Sequence, residues 1–329
     1  MMPGALKRHI KWLLMLLVLF TDEPAFAQEM SLRAVYNALS GVMAPIWVAQ
    51  DAGLFVKQGV TVDLKYLAAT TAVQGMVGGG EEIGLVGNQG IDAKLEGADL
   101  IYVASGLPVF VFQIYARPEI NSLSDLKGKV VAVTQPAAST DYAMRIALRK
   151  NGLEPDKDVR ILYAQDINGV LTSVSAGNAA AGIMSAPTSI RAKSAGLKAL
   201  VDVTALKIPF LFTGMLSSSR VIRDKSEAVT RFLRGYIESL AVIRNDKETT
   251  TRSMGKFLKT NDPAVLDSVY REYKDVFPVT PLMTTAEVKA VLDVAKSPKA
   301  KQMKPEEFFD NSLVQKIQAS GFVEQVNKR

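Results

Sequence analysis

Short apolar runs of strand length alternate along this chain with segments whose apolar positions recur at helical spacing. Residues 83–86 and 130–134 carry almost no polar side chains, as in strands buried on both faces. This alternation predicts an α/β fold built from βαβ units. The predicted strands cover residues 32–39, 61–67, 83–86, 100–105, 130–134, 159–163, 181–185, 199–203 and 210–217, and the predicted helices 44–55, 71–77, 89–96, 139–150, 168–175 and 187–195.

Two stretches of the chain are weak copies of each other. Residues 76–90 (MVGGGEEIGLVGNQG) and 174–188 (VSAGNAAAGIMSAPT) both run from a helix end through glycine and a buried strand into a loop of small residues. Only two copies are present, so they predict a duplicated lobe rather than a solenoid. The Glu81-Glu82 pair in the first copy is interpreted as a solvated turn rather than an acid/base pair.

After residue 217 the chain is predicted to be helical. Apolar residues from Val229 to Ile243 fall on one face of a long helix, which predicts that this face packs against a core. This helix is predicted to start at Asp224 or Ser226. Two further helices are predicted to start at Asp262-Pro263 and at the capping box Thr284-x-x-Glu287, and a last helix is predicted to run from Asp310 through Phe322.

The first 27 residues have the form of a secretory signal peptide. Three basic residues precede an apolar run over residues 12–20, and Pro24 and Ala25-Phe26-Ala27 then supply a small-x-small cleavage signal before Gln28. The alternative is an uncleaved membrane anchor. Nine apolar residues at ~1.5 Å each are too short for a ~30 Å hydrocarbon core, so a cleaved signal peptide is predicted.

Composition narrows the chemistry of the exported protein. The chain has 329 residues, no cysteine and one histidine, His9, which lies in the predicted signal peptide. Without His or Cys, Ser-His-Asp and Cys-His nucleophiles and imidazole or thiolate zinc sites are excluded. A carboxylate pair or a lysine nucleophile stays possible, but no catalytic residue, metal site or cofactor is predicted. The 39 Lys and Arg are scattered among 33 Asp and Glu without aromatic interleaving, so no nucleic-acid track is predicted.

The candidate ligand-binding residues lie in loops that leave a predicted strand and enter a predicted helix. Ligands of open α/β sheets bind beyond the carboxyl ends of the strands, and helix N-termini there present free N–H groups. The loop 134–140 has this form, with Ser139 and Thr140 as added hydroxyl donors or as helix caps. The remaining candidates of this kind are Ser40, Gly41, Thr70, Thr71, Asn88, Gln135 and Ser185. Thr213, in the predicted strand 210–217, is a further candidate.

Several of these candidates have a structural alternative. Thr70, Thr71 and Asn88 are equally placed to cap the helices that follow them, and Thr213 is equally placed in a crossover strand. Asp166 follows a strand and precedes a helix, which favours an N-cap. If Asp166 instead faced the bound ligand, it would select a ligand with a cationic or hydrogen-bond-donating group.

Several ordered motifs together resemble the nitrate/sulfonate/taurine-type periplasmic substrate-binding proteins of ABC transporters, a family that includes thiamine-pyrimidine-precursor binders. The resemblance implies a type II periplasmic binding fold, in which two α/β lobes close over a ligand. The matching segments are residues 45–64 (PIWVAQDAGLFVKQGVTVDL), 124–133 (SDLKGKVVAV), 139–159 (STDYAMRIALRKNGLEPDKDV) and 307–322 (EFFDNSLVQKIQASGF).

The resemblance also implies a discontinuous domain organisation. Lobe 1 is expected to take residues 28–108 and 218–329, and lobe 2 residues 119–207, with hinge crossovers at 109–118 and 208–217. The chain departs from the family's G-x-x-D pattern, since Glu82 and Ala180 stand where an Asp is usual.

The expected function is that of a periplasmic, monomeric solute-binding component that delivers its ligand to an inner-membrane ABC permease in a Gram-negative cell. The ligand is expected to be a small sulfonate-, nitrate- or carboxylate-like anion or a small heterocycle. Two alternatives are a periplasmic sensor subunit and a pyrimidine-precursor enzyme on the same fold. Enzymes of that kind resemble this family but depend on His and a Cys-rich motif, which the mature chain would lack.

Overall fold

The computed structural model describes residues 30–328, so the predicted signal peptide and its cleavage site lie outside the described residues. The first part of the described chain alternates strands and helices, as its periodicity predicts. Its elements are β1 (Ser31–Tyr36), α1 (Ala44–Asp51), α2 (Leu54–Lys57), β2 (Thr61–Tyr66), α3 (Ala69–Val77), β3 (Ile83–Val86), α4 (Gln89–Leu95) and β4 (Ile101–Val109).

The second part repeats this alternation after one added strand. Its elements are β5 (Gln113–Ala116), β6 (Val130–Val133), α5 (Ser139–Lys150), β7 (Arg160–Tyr163), α6 (Ile167–Ser175), β8 (Ala181–Met184), α7 (Thr188–Ser194) and β9 (Lys198–Asp202).

The last part opens with one long strand and is otherwise helical. Its elements are β10 (Pro209–Ser217), α8 (Ser219–Asp224), α9 (Ser226–Asn245), α10 (Lys247–Leu258), α11 (Pro263–Tyr273), α12 (Thr285–Leu292), α13 (Ser312–Ala319) and α14 (Phe322–Asn327). Short 3-10 turns lie at 41–43, 123–126, 204–206, 298–301 and 305–308.

The strands form two five-stranded mixed sheets with the same topology. The first sheet has the order β2-β1-β3-β10-β4 and the second β7-β6-β8-β5-β9. In each sheet the first three strands run parallel and the fourth runs antiparallel to both its neighbours. The matching order agrees with the predicted duplication. We call the halves built on these sheets the first and second lobes, and this two-lobe α/β architecture confirms the predicted fold class.

The fourth strand of each sheet follows, along the chain, the last strand of the other sheet. β5 follows β4 directly along the chain but pairs in the second sheet, and β10 follows β9 but pairs in the first. The chain therefore passes between the sheets at residues 110–112 and 203–208. Residues 113–116 and 209–217, within the predicted crossover segments, are ladder strands, because their extended apolar sequences find antiparallel partners in each sheet. The strand predicted for residues 210–217 is among them.

The long helix α9 lies at the centre of the first lobe's core. It begins at Ser226, and its predicted apolar face is buried, including Phe232 and Tyr236. The ring of Phe232 stacks on Phe55 with the centroids 4.5 Å apart. Burying such a stripe of large side chains is what holds a helix of this length in place.

Two predicted helices are interrupted by glycine. Gly53 has φ +68° between α1 and α2, and Gly321 has φ +75° between α13 and α14. A left-handed residue stops an α-helix, and glycine adopts that conformation without a Cβ penalty. Gly53 is thus the natural stop within the helical segment predicted for residues 44–55, and α2 follows it as a separate helix. The helix predicted from Asp310 through Phe322 is likewise divided, into α13 and α14.

The predicted helix starts in the C-terminal part are largely confirmed. Asp262 caps α11 by accepting the N–H of Ala264 at 2.9 Å, and Thr284 and Glu287 form the capping box of α12. Asp310 accepts the N–H of Ser312 at 2.8 Å, one residue ahead of the N-cap position of α13.

The interpretation of Glu82 as part of a solvated turn is wrong. Glu82 is buried, accepts the backbone N–H of Arg33 at 3.0 Å, and pairs with Lys225 at 2.7 Å. Burial by itself would raise the pKa of Glu82, but the hydrogen bonds and charges of Lys225 and Arg33 outweigh it and lower that pKa. Glu82 thus joins β1, β3 and the start of α9 as a structural residue.

None of the helices between residues 30 and 328 combines the length and the apolar character needed to span a bilayer.

Candidate functional site

A cleft between the lobes lies at the carboxyl ends of the parallel strands of both sheets. The loops after β1, β2 and β3 line one side, and the loops after β6, β7 and β8 line the other, which is where ligands bind in open α/β sheets. Its volume is about 110 Å³, whereas one water needs ~10–15 Å³ on this scale. It therefore has room for one small solute. The predicted residues in its lining are Ser40, Gln135, Ser139, Thr140, Asp166, Ser185 and Thr213.

Two of these serines, from opposite lobes, are in direct contact. Ser40 Oγ lies 2.8 Å from Ser185 Oγ and donates to the carbonyl of Ala186 at 3.1 Å. The buried Tyr273 of α11 places its hydroxyl 3.4 Å from Ser40 Oγ. Its neighbour Glu272 accepts the N–H of Ala186 at 3.4 Å, and burial raises the pKa of Glu272. α11 therefore takes part in the interlobe contact, which the sequence did not indicate.

Asn88 makes a second interlobe contact, behind the cleft lining. This fully buried side chain donates through Nδ2 to the carbonyl of Ala137 at 3.0 Å and accepts from Ser139 Oγ at 2.9 Å. It occupies the N-cap position of α4 but makes no side-chain cap bond. Asn88 of the first lobe and the N-terminus of α5 in the second lobe are therefore in direct contact.

Thr140 and Gln135 shape the loop that opens onto the cleft. Thr140 Oγ1 accepts the N–H of Thr134 at 3.1 Å and lies 2.6 Å from Thr134 Oγ1, which closes the loop on itself. Gln135 Oε1 accepts from Thr70 Oγ1 of the first lobe at 3.1 Å. The N-cap of α5 is Ala138, without a side-chain cap bond, so neither Ser139 nor Thr140 caps this helix.

Gly41, Thr70 and Thr71 stand outside the cleft lining, as Asn88 does. Gly41 donates its N–H to the carbonyl of Ala186 at 3.3 Å, and a Cβ on it would lie 2.4 Å from the ring of Tyr273. Thr71 is exposed in the first turn of α3, which neither threonine caps. Gly41 and Thr70 are therefore interlobe contacts.

Asp166 both caps α6 and lines the cleft. Its Oδ1 accepts the N–H of Gly169 at 2.8 Å, so the predicted N-cap is confirmed. Tyr66 of the first lobe also lines the cleft, and its pKa is raised by burial and by the negative charge of Asp166. The preceding Gln165 has φ +71°, a strained conformation for a residue with a Cβ that is typical of functional loops.

Sequence reasoning missed several lining residues. Gln165 adjoins a predicted candidate, and Gln89 and Asn168 lie just past candidate positions, so a wider window around each loop would have included them. The aromatic residues carried no local signal, because apolar side chains in strands and crossovers are typical of a core. The polar and aromatic side chains missed are Asn37, Tyr66, Gln89, Phe112, Gln165, Asn168 and Phe212.

Among them, Gln89 has an unusual hydrogen-bonding state. Its Oε1 is buried and has no donor among the described residues. A buried acceptor left without a partner costs about 1–3 kcal/mol. Because Gln89 lines the cleft, a bound solute is well placed to supply the missing donor.

Aromatic rings from the first crossover and from the start of β10 meet at the cleft. Phe112 and Phe212 line it, with centroids 4.7 Å apart, and behind them Phe110 stacks on Phe210 at 4.2 Å. These rings give the cleft an apolar wall at the place where the chain passes between the lobes.

The described lining, within residues 30–328, contains no Lys, Arg or His, and Asp166 is its single charged side chain. Groups of His, Cys, Asp and Glu suited to a metal ion are also absent from this part of the chain. The arrangement can therefore hold a small solute by hydrogen bonds and apolar contact.

Comparison with known proteins matches the chain to one family model. A family model described as NMT1/THI5 like matches residues 40–249. A search of curated proteins finds no significant match.

Solved structures share the fold at low sequence identity. A protein of Bordetella bronchiseptica has a TM-score of 0.76 at 16% identity, covering 88% of this chain and 97% of its own. The alkanesulfonate-binding protein of Xanthomonas axonopodis pv. citri, solved bound to MOPS, has a TM-score of 0.71 at 18% identity, covering 85% and 98%. The periplasmic nitrate-binding protein of Synechocystis has a TM-score of 0.70 at 14% identity, covering 89% of both chains.

Proposed function

Since the chain belongs to the NMT1/THI5-like family, we propose that it is the solute-binding component of an ABC importer, acting in the periplasm after removal of its signal peptide. The observation that carries the proposal is the interlobe cleft, to which each lobe contributes its strand-end loops. A small solute bound there holds the lobes together, and the closed form is what a permease recognises.

The signal peptide and the structural relatives support this proposal. The first 27 residues carry an export signal by sequence. Two of the similar structures are sulfonate- and nitrate-binding proteins. The export signal and the similar structures are both consistent with a monomeric protein that binds an inner-membrane permease.

We further propose that the protein binds its solute without transforming it. A carboxylate pair or a lysine nucleophile is what the composition leaves possible once the predicted signal peptide, with His9, is removed. The described cleft lining contains no Lys, and its acidic side chain, Asp166, already caps a helix. A lone carboxylate without a second acid/base group does not support hydrolytic chemistry.

The test is to purify the protein from its own cells, denature it, and identify the released solute by mass spectrometry. Incubation of fresh protein with that solute should return it unchanged and in stoichiometric amount. A catalytic yield of product would show an enzyme instead.

Uptake measurements separate transport from sensing. Deletion of the gene should abolish cellular uptake of the recovered solute. Normal uptake with a lost transcriptional response to the solute would favour the sensor alternative.

A further inference from the structure

The charge pattern of the cleft differs from that expected for a binder of strong anions. Asp166 is the single charged side chain in the described lining, and Tyr66 faces it from the other lobe. The guanidinium of Arg191 donates to Oδ1 of the lining residue Asn168, but Arg191 does not itself line the cleft. A bound sulfonate or nitrate would therefore lie near a carboxylate without a cation in contact.

Two helix N-termini in the second lobe, those of α5 and α6, are already complemented by the chain's own carboxylates. Asp141, in the first turn of α5, accepts the N–H of Ala137 at 3.0 Å and pairs with Arg145 at 2.6 Å. Asp166 is the N-cap residue of α6. Acidic groups at these positions interact with the partial positive charge of the helix N-terminus, which would otherwise attract an anionic ligand.

Two acceptor oxygens at the cleft receive no hydrogen bond from the described chain. Gln89 Oε1 is buried without a donor. Asp166 Oδ1 receives the Gly169 N–H at 2.8 Å, and no donor from the described chain reaches Oδ2. N–H groups on a solute satisfy such oxygens, whereas sulfonate and nitrate bring only further acceptors.

We propose that the cleft takes a small, uncharged or cationic solute carrying N–H donors on an apolar body, such as an amide or an amidine, and discriminates against strong anions. The N–H groups meet Asp166 and Gln89, and the apolar body packs on Phe112 and Phe212. The inference rests on the proposed function and names the substrate class of that same site.

Calorimetry with probes of matched size tests the charge preference. The probes are benzamidine, benzamide, acetophenone, benzoate and benzenesulfonate, which share a ring and differ in charge and donors, together with nitrate. We expect benzamidine and benzamide to bind at least tenfold more tightly than acetophenone or any of the anions. Solutes released from the purified protein are identified by mass spectrometry and should belong to the same class.

Two variants test the named side chains. Asp166→Asn keeps a good N-cap while removing the charge, so benzamidine affinity should fall at least tenfold and benzamide affinity less than twofold. Gln89→Met keeps the length but removes the acceptor, so benzamide affinity should fall severalfold. Asp224→Asn, an exposed carboxylate on α8 away from the cleft, is the matched control and should change neither.

The outcomes separate this inference from the proposed function. Tighter binding of benzoate, benzenesulfonate or nitrate than of the amide and amidine, or an anionic co-purified solute, overturns the inference and leaves a solute-binding protein. An Asp166→Asn variant with unchanged probe affinities also overturns it. A protein that captures no probe and releases no solute overturns the proposed function, and this inference with it.

Discussion

Many polar side chains around the cleft bond to the opposite lobe. Asn88 bonds both to Ala137 and to Ser139, and Ser40 bonds to Ser185. The bonds to Ser139 and Ser185 are buried and the bond to Ala137 is partly buried, so removing one partner leaves the other less well hydrogen-bonded. At the scale of single residues, we therefore expect interlobe contact and ligand binding to be coupled.

Substitution of Asn88 tests this coupling. Asn88→Ala removes the donor to the Ala137 carbonyl and leaves the Ser139 hydroxyl only the carbonyl of Phe212, at 3.4 Å, when the lobes meet, a cost of about 1–3 kcal/mol. We expect affinity for the co-purified solute to fall about tenfold or more, since ~1.4 kcal/mol is a factor of ten. Calorimetry measures this, with Thr71→Ala, an exposed residue outside the cleft lining, as the control. Equal affinity for wild type and Asn88→Ala would contradict the coupling.

Asp92 should make stability depend on pH. Burial and the charge of Glu96 raise the pKa of Asp92 to about 6, from the ordinary 3.8. The folded protein thus binds this proton more tightly than the unfolded chain does. Stability falls as pH rises from about 4 to about 6, and the penalty is constant above that range.

Asp92→Asn should therefore stabilise the protein at neutral pH, by at most about 3 kcal/mol at ~1.4 kcal/mol per pKa unit. The gain should vanish below about pH 4, where Asp92 is protonated in both states. Urea unfolding at pH 4 and pH 7.5 measures it, with Asp224→Asn, an exposed carboxylate on α8, as the control. A gain of equal size at both pH values would show that the charge of Asp92 is not responsible.

At the scale of elements, the start of α6 shows how local packing positions the cleft. Gly169 lies in the first turn, and a Cβ there would come 2.0 Å from the carbonyl oxygen of Ala164. The loop between them carries Gln165 and Asp166 into the cleft. Only glycine lets this loop fold so tightly against its helix.

Gly169→Ala should displace the loop. We expect a loss of about 1–3 kcal/mol in the free energy of unfolding, the usual cost of overpacking, together with weaker solute binding. Gly78→Ala is the matched control, because its nearest neighbour would lie at 3.4 Å and its φ of −73° suits alanine. Normal solute affinity in Gly169→Ala would mean that the loop does not depend on this close approach.

At the scale of the whole molecule, two short connections join lobes that touch across the cleft. The chain passes between the sheets at residues 110–112 and 203–208, an arrangement that suits hinge closure. Ligand binding is then expected to bring the lobes together and to reduce the radius of gyration. Small-angle scattering with and without the co-purified solute measures it. An unchanged scattering curve at saturating solute would argue against hinge closure.

The sequence alone predicts most elements of the first and second parts of the chain. Strand β3 and helix α5 have the predicted bounds. Hydrophobic patterns and the residues that end an element depend only on neighbours a few positions away, so the sequence alone reveals them. Asp166 was predicted as a cap for the same reason. The candidate loops follow from one topological rule, that ligands gather at the carboxyl ends of parallel strands.

The tertiary structure decided what local patterns do not encode. β5 and β10 each join a sheet across a crossover, Asn88 meets Ser139 from 51 positions away, and Ser40 meets Ser185 from 145 positions away. Glu82 is buried because Lys225, far along the chain, reaches it. These contacts depend on how the two lobes and the C-terminal helices fold back on one another, so they follow from packing and burial in three dimensions rather than from residue spacing.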